Sequence, residues 1–114
     1  MPIGIEKLYG LQPDFRTKVE KIIHEMEMRG WSIRIVWGAR TYEENQRLVN
    51  KGVASPHSKH LLGKAVDLID RKTGYTENRD HRFYKDLSEL ARKYGLIWGG
   101  NFRSRWDPCH LEAP

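Results

Sequence analysis

The chain has a single cysteine, Cys109, among 114 residues. No intrachain disulfide can form, and nothing implies an oxidising compartment. No apolar run approaches the length of a membrane-spanning helix, so stable insertion into a bilayer is not expected. The first residues, Met-Pro-Ile-Gly-Ile-Glu-Lys, lack the basic segment and apolar core of a secretory signal, and the expected location is the cytoplasm. Finger-like Cys/His spacing and aromatic-basic recognition motifs are also missing, so nucleic acid is not an expected partner. There are no repeats or low-complexity stretches. What is present is a globular composition, 39% hydrophobic and 11% aromatic with four Trp. Residues 1–114 suffice for one domain with one core, expected as a monomer. The net charge of +5 favours an acidic partner, though on this scale it also serves solubility.

The most informative stretch is Ser58-Lys-His60-Leu-Leu-Gly63-Lys-Ala65-Val-Asp67. Gly63 can adopt angles closed to other residues and allows a tight reversal after His60. The residues beyond it alternate as a strand, with Ala65, Asp67 and Ile69 on one face and Val66 and Leu68 on the other. A carboxylate on an otherwise buried strand must be paired or bound to a cation. A divalent metal shared with His60 would meet that need. Trp106-Asp107-Pro108-Cys109-His110-Leu111-Glu112 offers a third ligand in His110. Two His and one Asp leave a fourth zinc position open for water, as catalytic sites require. Asp107, three residues before His110, is then placed to act as general base.

S-x-H-x-x-G-x-A-x-D followed by D-x-x-H resembles the peptidoglycan-cleaving zinc peptidases of the D-alanyl-D-alanine carboxypeptidase family, which share a fold with Hedgehog signalling domains. Within that family the chain is most similar to phage endolysins that act as L-alanyl-D-glutamate peptidases. The resemblance runs from about residue 30 to 112. It implies Zn²⁺ held by His60, Asp67 and His110, a bacterial peptidoglycan stem peptide as substrate, and storage in the host cytoplasm before release to the wall. Asp107 stands where the carboxypeptidase branch usually has Glu, which favours the L-alanyl-D-glutamate bond. Gly38, Arg40, Thr41 and Gln46 resemble the family's arginine motif, with Arg40 at the active site. A guanidinium there suits a substrate carboxylate or the charge of a tetrahedral intermediate. The plainer alternative is a surface arginine paired with Glu43 or Glu44. The aromatic residue usual before this arginine is replaced by Ala39.

Local pattern completes the expected fold, an α+β domain of the Hedgehog/DD-peptidase kind. A small, mostly antiparallel sheet carries two or three packed helices. Residues 1–13 read as an irregular lead-in. A helix follows from Asp14, with Phe15, Val19, Ile22, Ile23 and Met26 on one stripe and Gly30 as its stop. Trp31–Trp37 alternates as a strand, and Thr41 caps a second helix toward Gly52. A third helix spans about Asp80 to Tyr94, with His81 exposed in its first turn. His24 reads as an ordinary helix histidine. Leu96–Gly100 reads as a short strand and turn, in which Trp98 either lines the substrate groove or packs in the core. Ser58, which the resemblance also makes a candidate substrate-binding residue, is expected to fix the loop or ligand geometry by hydrogen bonding rather than act as a nucleophile. His57 competes with His60 by type, but the resemblance puts the metal on His60. Cys109 reads as a small packed side chain. A separate wall-binding module is not expected within these residues. The rival readings are a D-alanyl-D-alanine carboxypeptidase or dipeptidase and a zinc-bearing binding module without turnover.

Overall fold

A computed structural model describes residues 2–114. The residues ahead of Pro13, expected to be irregular, are built into the fold. The Ile3 N–H donates to the Ile33 carbonyl at 3.0 Å, and the Ile35 N–H donates to the Ile3 carbonyl at 2.8 Å. A 3₁₀ turn, Ile5–Leu8, buries Leu8, and Leu11 follows it into the core. Two isolated apolar residues carry no periodicity, so only this long-range pairing reveals their place.

Helix α1 (Pro13–Met28) begins with proline, whose missing N–H costs nothing in a first turn. Its apolar stripe is buried as the spacing requires. Strand β1 (Ile33–Trp37) turns Ile33 and Ile35 inward. Helix α2 (Tyr42–Asn50) opens on a capping box: the Glu44 N–H donates to Thr41 Oγ1 at 3.1 Å, and the Thr41 N–H donates to Glu44 Oε1 at 2.9 Å. Strand β2 (Ala65–Asp70), helix α3 (Arg82–Lys93), strand β3 (Ile97–Trp98) and strand β4 (His110–Glu112) complete the chain.

The strands form one antiparallel sheet in the order β1-β2-β4-β3. Ile33, Ile35, Val66, Leu68 and Leu111 join the apolar faces of α1 and α3 in one core. This is the expected α+β architecture, with three helices. Alternation then sends Asp67, His110 and Glu112 to the opposite face. The register sets Asp67 between Trp37 on β1 and His110 on β4.

His81 corrects its expected exposure. It precedes α3 as a half-buried residue, its ring edge-on to Trp31 and Tyr84 with centroids 5.8 and 5.1 Å away. Trp31 is held in place by its Nε1–H, which donates to Asp86 Oδ2 at 2.9 Å, so the first turn of α3 closes over aromatic surface. Among the described residues no helix is long and apolar enough to cross a membrane.

Candidate metal centre

His60 lies in a 3₁₀ turn, Lys59–Leu62, between α2 and β2. Ser58 Oγ accepts from the His60 N–H at 3.2 Å, and Gly63 ends the turn with φ of 67°. Ser58 therefore shapes the loop, as its sequence context suggested. The ring is buried, and its Nδ1 lies 2.8 Å from the Gly38 carbonyl oxygen. A carbonyl only accepts, so Nδ1 carries the proton and Nε2 presents its lone pair. That lone pair faces Asp67 Oδ2 at 3.3 Å.

Asp67 reaches His110 from its other oxygen, with Oδ1 3.1 Å from Nδ1. Nε2 of His110 lies 2.8 Å from Glu112 Oε1. Both imidazoles thus turn one nitrogen toward Asp67 and the other toward a fixed acceptor. The donor atoms of His60, Asp67 and His110 all lie within 4.8 Å of one another.

Two acceptors facing each other across 3.3 Å repel unless a cation or proton lies between them. Zinc ligands at about 2.0–2.1 Å in a tetrahedron are themselves about 3.3–3.4 Å apart. The His60–Asp67 spacing matches that edge, and a nitrogen–oxygen donor set suits zinc. The residues present therefore fit the metal.

Charge follows the same arrangement. Burial alone would push the Asp67 carboxyl up. Where the two imidazoles carry protons toward it, hydrogen bonds from His110 and His60 and their charge outweigh burial and hold Asp67 well below the usual carboxylate range, a role a bound cation would take over from those protons. Burial works against the charged form of His110, but Asp67, Glu112 and Asp107 raise its pKa on balance. Asp107 behaves oppositely to Asp67: desolvation and the neighbouring Asp67 charge push its carboxyl up. Its Oδ2 is 3.7 Å from His110 Nδ1, which puts a more readily protonated carboxylate beside the donor cluster.

Asp107 is held there by a close backbone approach. Its N–H donates to the Gly99 carbonyl at 3.1 Å, and a Cβ on Gly99 would fall 2.2 Å from the Asp107 carbonyl oxygen. Trp98 belongs to the same support. Its Nε1–H donates to the Pro108 carbonyl at 2.7 Å and its ring packs on the core. It is not among the residues that wall the cavity, so of its two expected roles the structural one describes its position.

Arg40 follows β1 with a side chain only 8% exposed. Its guanidinium lies 4.7 Å from the Trp37 ring centroid, Nη1–H donates to Asn45 Oδ1 at 3.1 Å, and Nη2 is 3.9 Å from Asp67 Oδ2. Trp37 thus supplies an aromatic neighbour although Ala39 precedes the arginine. Nε is buried with no hydrogen-bond partner among the described residues. Burial lowers the Arg40 pKa against the opposing charges of Asp67 and Asp107.

These groups share a cavity of about 680 Å³. Leu48, Val53, Tyr75, Phe102 and Trp106 give it apolar wall, and His57, Ser58 and Arg105 reach it from the loops. His57 is exposed at this wall and outside the His-Asp-His group. Cys109 is buried with its thiol pushed up to about 12, first by desolvation and then by the Asp67 charge. His24 is exposed on α1.

Three site residues escaped the sequence reading. Gln46, taken with the arginine motif, hydrogen-bonds Asn50, while the buried amide beside Arg40 is Asn45. Glu112 and Lys59 stand behind His110, 2.8 Å from each other. Strand alternation could have found Glu112, because i and i+2 share a face. No local pattern points to the other two.

The family model for D-alanyl-D-alanine carboxypeptidase matches residues 51–113. No curated protein sequence matches the chain. Among solved structures, the L-Ala D-Glu endopeptidase ChiX of Serratia marcescens is similar with a TM-score of 0.72 and 22% identity, covering 100% of this chain and 90% of that one. The vancomycin resistance D,D-pentapeptidase VanY, an E175A mutant in complex with Zn(II), gives 0.71 and 21%, covering 90% of this chain and 72% of that one. The L,D-carboxypeptidase DacB of Streptococcus pneumonia gives 0.70 and 22%, covering 93% and 67%. At these identities the likeness is one of fold.

Proposed function

The chain belongs to the D-alanyl-D-alanine carboxypeptidase family of peptidases, and from that premise we propose that it is a zinc-dependent endopeptidase that hydrolyses the L-alanyl-D-glutamate bond of peptidoglycan stem peptides. The single observation that carries the metal chemistry is the convergence of two oriented imidazoles on Asp67, each with its remote nitrogen bound to an acceptor. The bond assignment draws support from the aspartate at position 107 and from the fold likeness to an L-Ala D-Glu endopeptidase over the full chain. The biological reading is an endolysin, stored in the host cytoplasm and released to lyse the cell wall.

His60, Asp67 and His110 would hold the ion. When bound, zinc supplies Lewis acidity that acidifies an attacking water toward a pKa of ~7 and polarises a carbonyl. Asp107 takes the proton of that water and delivers it to the leaving amine. Its raised pKa makes the carboxylate a better base for the water proton, and the resulting carboxylic acid can still give that proton up to the more basic leaving amine. A guanidinium is not deprotonated in proteins, and Arg40 lines the same cavity, where its charge stabilises the oxyanion of the addition step. The apolar wall around Trp106 and Tyr75 seats the peptide and thins the water around the reacting carbonyl.

A second reading, removal of a terminal D-alanine, has its own support in the description of the matching family model and in the VanY likeness. One experiment separates the two. Purified protein is incubated with defined stem peptides, and the fragments are identified by mass with and without chelator and with Asp107→Ala. Cleavage after the first L-alanine, lost in both controls, is the expected result. Release of D-alanine assigns the carboxypeptidase reaction. Zinc binding without any cleavage leaves a binding module and overturns both enzymatic readings.

A further inference from the structure

We propose that Glu112 and Lys59 act as a positioning pair that sets which nitrogen of His110 is free for metal and so how tightly the centre holds its ion. This rests on the reading of His60, Asp67 and His110 as the ligand set.

Glu112 and His110 alternate in β4 and rise on the same face. Oε1 of Glu112 is 2.8 Å from His110 Nε2, and Oε2 is 2.8 Å from Lys59 Nζ. Lys59 also donates to the Ala113 carbonyl at 2.6 Å, which ties its ammonium to the main chain just beyond that strand. The pair is only partly exposed, with the Glu112 side chain at 15%. It links the two histidine-bearing segments, because Lys59 directly precedes His60 in the 3₁₀ turn.

Each contact has a consequence. An ionised carboxylate only accepts hydrogen bonds, so Glu112 keeps the His110 proton on Nε2 and leaves Nδ1 facing Asp67. A carboxylate behind a ligating imidazole also makes it a stronger donor. Glu112 itself lines the cavity and carries an oxygen that a divalent ion would accept. Lys59 occupies that second oxygen. It holds Glu112 in the supporting position and keeps it from closing the fourth coordination place that catalysis needs open. Lys59 also offsets a third carboxylate beside Asp67 and Asp107.

The test is zinc affinity, measured by competition with a chromophoric chelator on the purified full chain, together with ¹⁵N NMR of the zinc-loaded wild type. Glu112→Ala is expected to weaken zinc about 10- to 100-fold, and Glu112→Gln less, because its amide oxygen still accepts from Nε2–H. Lys59→Met, which frees Glu112 Oε2 to reach the open coordination place, is expected to tighten zinc and lower turnover, and to change affinity little on top of Glu112→Ala. The NMR should place the His110 proton on Nε2 with Nδ1 on the metal, a readout that needs no variant. Wild-type affinity in Glu112→Ala, or a His110 bound to metal through Nε2, overturns the inference while the metal site stands. A wild type that binds no zinc overturns the ligand reading first, and the pair's role with it.

Discussion

Asp67 and His110 are register partners across β2 and β4, and their side chains meet at 3.1 Å on the face of the sheet turned away from the core. Leu68 and Leu111, the next residues in each strand, are fully buried on the other face. The candidate centre is thus anchored through the same two strands that anchor the core, and its geometry is coupled to folding.

Metal should therefore stabilise the protein. Zinc at 100 times its dissociation constant contributes about 2.7 kcal/mol by mass action, which raises the melting temperature by roughly 10 °C or more in a domain of this size. Scanning calorimetry with zinc and with chelator reads it directly. Asp67→Ala should abolish the shift, and equal melting temperatures in the wild type would contradict the metal site.

Asp107→Asn should keep zinc binding and lose turnover, by about 10²- to 10⁴-fold in kcat for a lost general base. Loss of zinc in this variant would instead make Asp107 a ligand. Metal analysis and peptide cleavage on the same preparation decide between them.

Asn45→Ala removes the acceptor for Arg40 Nη1–H and the donor to the Ser55 carbonyl, both part-buried. Leaving such groups unpaired costs about 1–3 kcal/mol. Because one of them is the Arg40 guanidinium, kcat should also fall at temperatures where the variant is fully folded. Unchanged kcat in a folded variant would free Arg40's placement from Asn45.

Acid should destabilise the fold partly through Asp70, a buried carboxylate at the end of β2. Burial pushes its carboxyl up, but the Ser32 N–H and the Thr73 hydroxyl and N–H donate to it and hold it below its ordinary value. A depressed folded-state pKa means this stability is complete above the unfolded value of about 3.9 and is lost as pH falls through the folded one. Urea unfolding over a pH series should show a steeper acid loss in wild type than in Asp70→Asn. Parallel curves would remove Asp70 from the account.

By itself the sequence determined whatever depends on neighbours in the chain. The stripes of α1 and α3, the Thr41–Glu44 cap and the outward face of Asp67 follow from periods of 3.6 and 2 and from short-range hydrogen bonds. Ser58, His60, Asp67, Asp107 and His110 stood out as a set because their order along the chain resembles a zinc peptidase motif, the His and Asp spacing alone being common. Tertiary structure alone decided the contacts between residues far apart in sequence. Gly38 orients His60 from 22 residues away, and Lys59 reaches Ala113 across 54. Asn45 rather than Gln46 faces Arg40 because the phase of α2 against the following loop selects it. The lead-in gains its order from β1, and His81 its burial from Trp31. Such hydrogen bonds and ring contacts form only once packing has brought the two partners together, and no local pattern encodes them.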